Sequence, residues 1–204
     1  MSASAETSPT DVTNGEVVSP KDVRLGFLAY VELSEEGTYR GALLVTDGHC
    51  KPVEFRCTSP IRPNKVQTLL YGSTLMPCIG LDLVASPLLA SVSNSPSVVL
   101  VASPVLLDAR TGTDTPVLYV RRQGDAIHLA GDGDEASASG DLVESASDRF
   151  QAIVLTPHWE HADDLNTWRD RLSQLFAHVD LLEPFERITH ALEVVHEQHV
   201  LDTE

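Results

Sequence analysis

Three short β-prone runs, Leu25 to Leu33, Tyr39 to Thr46 and Pro52 to Cys57, follow one another across the brief turn-like segments Ser34 to Gly37 and Asp47-Gly48. Parallel neighbours need a crossover of a dozen residues or more, so spacing this tight admits only an antiparallel meander. Beyond Pro60 and Pro63 the period changes. Val66, Leu69 and Leu70 fall at helical spacing behind Asn64, whose side-chain oxygen suits an N-cap, and Gly72 is expected to end this short helix. Leu75 to Val92 is apolar but interrupted by Pro77, Gly80 and Pro87, which predicts broken helical turns lying over the sheet.

Val98 to Ala102 is short, β-branched and apolar enough for a central strand. Further strands are expected around Val105 to Leu107 and Pro116 to Arg122, with a hairpin return over Ala126 to Ala130. Residues 131–149 are rich in acids, Ser and Gly and read as a solvated loop, and Phe150 to Leu155 reads as a last strand. From there the period is helical. Leu165, Trp168, Leu172, Leu175 or Phe176 and Val179 mark one amphipathic stripe, and Leu182, Phe185, Ile188, Leu192 and Val195 mark a second. Asp180, with Glu183 and Pro184 behind it, has the makings of a helix start, which predicts two helices meeting there.

The fold class is therefore α+β: a mainly antiparallel, mixed sheet with a short covering helix and a C-terminal pair of amphipathic helices. Residues 1–21, rich in Ser, Thr, Pro and Glu, read as a disordered tail, residues 22–156 as the β-rich core and residues 157–204 as the helical pair.

The 204 residues carry 14 Lys plus Arg and 30 Asp plus Glu, a formal net charge of −16. Residues 1–130 hold 13 acids and 10 bases, whereas residues 131–204 hold 17 acids and 4 bases, so the negative field belongs to the acidic loop and the helices. A field of this sign repels phosphate backbones. Nucleic acid is accordingly disfavoured except at a local basic patch of Lys51, Arg56, Arg62 and Lys65, with Phe55 and Tyr71 interleaved as stacking surfaces. Cys50, Cys57 and Cys78 are too few and odd in number for a disulfide framework and read as ordinary thiols of a reducing compartment. No leader and no uninterrupted apolar run of membrane length is visible, so the expectation is a cytoplasmic protein with no membrane contact.

Glu32 stands at the end of the first β-prone run, ahead of two further strands, a helix and the Val98 to Ala102 strand. Over residues 24–103 this order resembles ribonuclease H-like folds, in which a carboxylate on the first strand helps to bind catalytic metal. The resemblance implies a metal-dependent phosphodiesterase using Glu32, Asp108 and Asp47, since such chemistry gathers several carboxylates around divalent ions. It departs from the pattern at Ser103 and Pro104, where a second acid is expected.

Six of the eight histidines follow Pro157. His158 with His161, and His196 with His199, are spaced by three, and Glu193 with His196 forms a Glu-x-x-His pair, so Glu193, His196 and His199 are weak metal candidates. Gly-x-Ser-x-Gly, P-loop and Gly-x-Gly-x-x-Gly motifs are all missing, and the GDGDE run lacks the later ligands of an EF-hand. With no assembled catalytic set, the leading expectation is a non-enzymatic adaptor without a cofactor. It would dock through Leu165, Trp168, Leu172, Phe176, Phe185, Ile188 and Leu192 onto a basic partner surface or a second copy. The alternative is the ribonuclease H-like phosphodiesterase.

Overall fold

The computed structural model describes residues 23–33, 37–125 and 140–201, with the side chains from 199 onward excepted. Its centre is a meander of β1 (Arg24–Glu32), β2 (Tyr39–Asp47) and β3 (Pro52–Cys57), paired antiparallel as the short turns require. Asp47 closes the tighter turn. Its Oδ1 accepts the N–H groups of His49 (2.9 Å) and Lys51 (3.0 Å), and Cys50 takes up a positive φ of 58°.

The chain then crosses the sheet through one helical path, Lys65–Ser91. It begins as α1 (Lys65–Tyr71), where Asn64 accepts the Gln67 N–H and the Gln67 side chain accepts the Asn64 N–H, a reciprocal cap. Gly72 ends α1 at φ 52°, and α2 (Leu75–Pro77), a π-helical stretch Cys78–Ala85 and α3 (Ser86–Ser91) carry the path onward. β4 (Val98–Val101) then joins β1 in parallel, Leu25 opposite Val98. A 3-10 helix, Pro104–Gly112, leads to β5 (Val117–Arg122), which is parallel to β4. β6 (Asp141–Val143) and β7 (Ile153–Pro157) complete a seven-stranded sheet in the order β3-β2-β1-β4-β5-β7-β6. The fold is α+β as expected, with a mixed and mostly antiparallel sheet.

Three expectations are revised. The strand placed at Val105 to Leu107 is a 3-10 helix, because Pro104 at its first turn fixes φ for helical geometry. The segment read wholly as loop contains β6, whose Val143 is buried beside Ile153. The last strand starts three residues later than expected. The hairpin return at 126–130, the tail 1–21 and most of the acidic loop lie outside the described residues.

Alternation along β1 sends Leu25, Phe27 and Ala29 to one face and Leu28 to the other, and both faces are covered. The crossover and the 3-10 helix cover one through Ile79, Val84, Leu88 and Leu106. On the other lie α4 (Asp163–Phe176) and α5 (Glu183–Leu201), the two helices expected from the stripes. Leu165, Trp168, Leu172, Phe176, Phe185, Ile188 and Leu192 are all buried there against the protein's own strands. Phe27 meets Phe185 edge to face at 5.5 Å. The docking stripe is thus corrected to core: an open sheet face of this size needs cover, and these helices supply it.

The closest approach of the crossover to the sheet occurs at Gly41. A Cβ there would stand 2.1 Å from Val84 Cγ1, so only glycine lets the π-helical stretch seat. Gly41→Ala is expected to destabilise the fold by about 1–3 kcal/mol. Val84→Ala in the same chain should recover part of that loss in urea unfolding, whereas simple additivity of the two losses would disprove the contact.

Candidate functional site

The carboxylates named from sequence separate. Arg24 pairs with Asp47 and Glu32 with Tyr39, so Glu32 and Asp47 sit at opposite ends of the β1–β2 pair, about 27 Å apart at the usual strand rise. Glu32 faces Tyr39, whose phenol is pushed up first by burial and then by this carboxylate. Asp47 is used by its turn. Neither is available to a shared ion.

Asp108 is different. It lies on the 3-10 helix, with most of its carboxylate exposed, and its Oδ1 stands 3.4 Å from Nε2 of His158. His158 follows β7 and is 3% exposed. Its Nδ1 accepts the Glu160 N–H at 3.2 Å, so the ring hydrogen resides on Nε2, facing Asp108. That bond starts the 3-10 turn Trp159–His161, which folds Glu160 and His161 back beside His158. Ligand atoms of His158, Glu160 and His161 all lie within 4.8 Å of one another, and the two imidazoles are 5.6 Å apart. Trp159, next to His158 at 5.7 Å, is 79% exposed.

A second contact ties the same two segments together. Arg110 Nε donates to Asp164 Oδ2 at 2.6 Å, and Arg110 also donates to the Thr113 carbonyl, locking the 3-10 helix onto the start of α4. On its other side Asp108 borders a groove of about 460 Å³ shared with Asp82, Ser86, Thr111 and Thr113. The groove therefore has one wall from the crossover and one from the 3-10 helix, and Asp108 stands between it and the His–Glu–His corner beyond β7.

The donor set is chemically coherent. Within the cluster Glu160 and His161 are free to take a divalent ion, and His158, held between the Glu160 N–H and the Asp108 carboxylate, is the group that orients them. Mixed imidazole and carboxylate donors suit Zn²⁺ or Mn²⁺ better than an all-oxygen Mg²⁺ cage. Of the weaker histidine candidates, Glu193 is exposed on α5, and His196, one turn on, is half-buried. The side chain of His199 lies outside the described residues. Sequence reasoning paired His158 with His161 and singled out Asp108. It missed Glu160, Asp82 and Trp159, for which an exposed tryptophan between two histidines was the available signal.

The basic patch does not assemble. Lys51 follows the β2–β3 turn, whereas Ile61, beside Arg62, bridges to Tyr39 at the far end of β2. Phe55 pairs with Leu44 and shares its face of the sheet with α4 and α5, while Tyr71 lies on the crossover side. Arg56 is taken by Glu54 at 2.8 Å. Glu54 also accepts from the Asn94 side chain and from the N–H groups of Ser93 and Asn94, and these bonds, Asn94 foremost, push its pKa down to about 2.

No family model matches the chain, and no curated protein matches it in sequence. Among solved structures, Endonuclease V from Bacillus subtilis shares its fold with a TM-score of 0.50 at 10% identity, covering 89% of this chain and 86% of that one. Endonuclease V from Streptomyces avermitilis is more distant, with a TM-score of 0.41 at 13% identity over 71% of each chain. Endonuclease V from Ciona intestinalis, in complex with a 24mer DNA containing an inosine followed by a ribo-adenosine, has a TM-score of 0.41 at 11% identity, covering 75% of this chain and 87% of that one.

These findings correct the leading expectation. The helices of the supposed adaptor are spent on the core, and the structural neighbours carry the name of a nuclease. The expectation against nucleic acid, which rested on the total charge of the chain, is corrected with it, since the fold is shared with a structure named for a nuclease.

Glu54 offers a pH test of the local geometry. Its folded pKa lies below the free carboxyl value of 4.5, so its stabilising bonds are fully present above that pH and are lost as the pH falls toward 2. The Glu54 side-chain carbon resonance should titrate at about 2 in the native protein and return toward 4.5 in Asn94→Ala. A native midpoint at the free value contradicts the bonding described.

Proposed function

We propose that this chain is a ribonuclease H-like, divalent-metal-dependent phosphodiesterase acting on nucleic acid. The observation that carries the reading is the clustering of His158, Glu160 and His161 beyond β7, with Asp108 against His158 and Trp159 exposed beside them. The Endonuclease V-like fold supports the same class.

A bound ion would lower the pKa of a water and offset charge on the phosphoryl oxygens. The protein's own groups do the rest. Glu160 and His161 would hold the ion, Asp108 fixes the His158 ring beside them through its Nε2–H, and the Arg110–Asp164 pair fixes the helix that carries Asp108. Trp159 offers a stacking face to an unpaired base, a contact indifferent to sequence. An acidic groove repels a phosphate backbone until a cation is in place, which makes binding as well as cleavage depend on metal.

Labelled single- and double-stranded DNA and RNA, incubated with Mn²⁺, Zn²⁺ or Mg²⁺, test this directly. Cleavage is expected with metal and is expected to fall to background with EDTA, Glu160→Gln or His161→Ala. His158→Ala should lower the rate about 10- to 100-fold, as loss of a ligand-orienting group does. Trp159→Ala should weaken single-strand binding on the order of tenfold, and Glu32→Gln should change nothing. Absence of cleavage on every substrate overturns the class. Full activity in Glu160→Gln and His161→Ala overturns the site.

A further inference from the structure

Between Glu54, which takes Arg56, and Asp82 the chain holds Arg62 and Lys65 and no acid, in a protein whose net charge is −16. The same segment carries an exposed apolar ridge. α1 buries none of its residues, and on it Leu69 is 83% and Leu70 79% exposed, with Val66 and Tyr71 beside them. Its reciprocal cap supports the helix at its start, although none of its residues is buried. Next to it an apolar cleft of about 240 Å³ runs between Ile61, Tyr71, Leu75, Ile79 and Leu83. The whole helical path Lys65–Ser91, 27 residues, is apolar and long enough to cross a membrane by length and composition, yet only 28% of its most apolar window is buried in the protein.

We propose that this face docks, peripherally, on an anionic lipid surface. The chemistry is that of an interfacial helix: Val66, Leu69 and Leu70 enter the acyl boundary, Tyr71 sits at headgroup level, and Arg62 and Lys65 meet lipid phosphates. A convex ridge flanked by cations matches a deformable anionic phase. Nucleic acid fits less well, because aliphatic side chains give a base nothing to stack on. A second copy fits less well too, because a two-fold contact here would set Arg62 and Lys65 against their own images. The expectation of no membrane contact rested on the lack of an unbroken apolar run. The ridge escapes that criterion because its apolar residues are a helix face, not a run.

Co-sedimentation of the full chain with vesicles of phosphatidylcholine containing phosphatidylglycerol, against phosphatidylcholine alone, decides the matter. Binding is expected only to the phosphatidylglycerol vesicles and should weaken with salt. It should be lost in the Leu69→Glu, Leu70→Glu double variant, whose exposed positions leave the fold intact by circular dichroism. Arg62→Gln and Lys65→Gln should each weaken it about fivefold, the worth of one basic residue near an anionic leaflet. Equal or no binding to the two vesicle types overturns the proposal. So does a dimer in analytical ultracentrifugation that the same Leu variants abolish without any vesicle binding, which assigns the face to a second copy.

Discussion

Everything in this molecule depends on keeping both faces of one sheet dry. β1 and β4 lie side by side at the centre, and their residues alternate between two apolar layers, neither of which reaches water. A sheet built this way cannot be covered by one element. The crossover closes one face because Gly41 lets Val84 approach, and α4 with α5 close the other through Trp168, Phe176 and Phe185. The candidate site is a by-product of that closure. The 3-10 helix after β4 and the turn after β7 both have to return along the rim of the sheet, and they meet where Arg110 reaches Asp164 and Asp108 reaches His158.

Local signals in the sequence were legible because they report local physics. Turn-length gaps specified the meander, Asn64 and Gly72 marked both ends of α1, and the two stripes specified α4 and α5. What those stripes pack against is a tertiary fact, and the same periodicity serves a partner or a core. Pairing register explains the failure of the carboxylate set. Glu32 and Asp47 are neighbours in the chain order of strands, but an antiparallel hairpin carries its ends apart, and a reading of Arg24 opposite Asp47 separates them. The meeting of Asp108 with His158 spans fifty residues and depends on the return of the 3-10 helix, which no local pattern encodes.

The electrostatic picture also changes character. Taken as a total, the charge of this chain argues against any anionic ligand. Distributed over the fold, several cations are already committed: Arg110 to Asp164, Arg122 to Asp180, Arg169 to Asp141, Arg187 to Glu183. The first three pairs tie α4 and the turn before α5 to their surroundings, and Arg187 also donates to the Cys50 carbonyl, which ties α5 to the β2–β3 turn. Arg62 and Lys65 stand outside that network, in a stretch with no acid of its own. The acids around Asp108, conversely, are concentrated where a cation would be drawn in.

The central parallel pair has a consequence for how the chain reaches this state. Arg24 and Ser97 meet across 73 residues, so the inner edge of β1 has no partner until the whole crossover has been made and β4 has arrived. During synthesis the meander is complete first, and it waits with a fully apolar strand edge open beside an apolar helical segment. Closing so long a loop before any parallel hydrogen bond forms makes assembly slow for a protein of this size. The interval between the emergence of β3 and the capture of β4 is therefore the stage at which this chain is most open to mispairing with its neighbours.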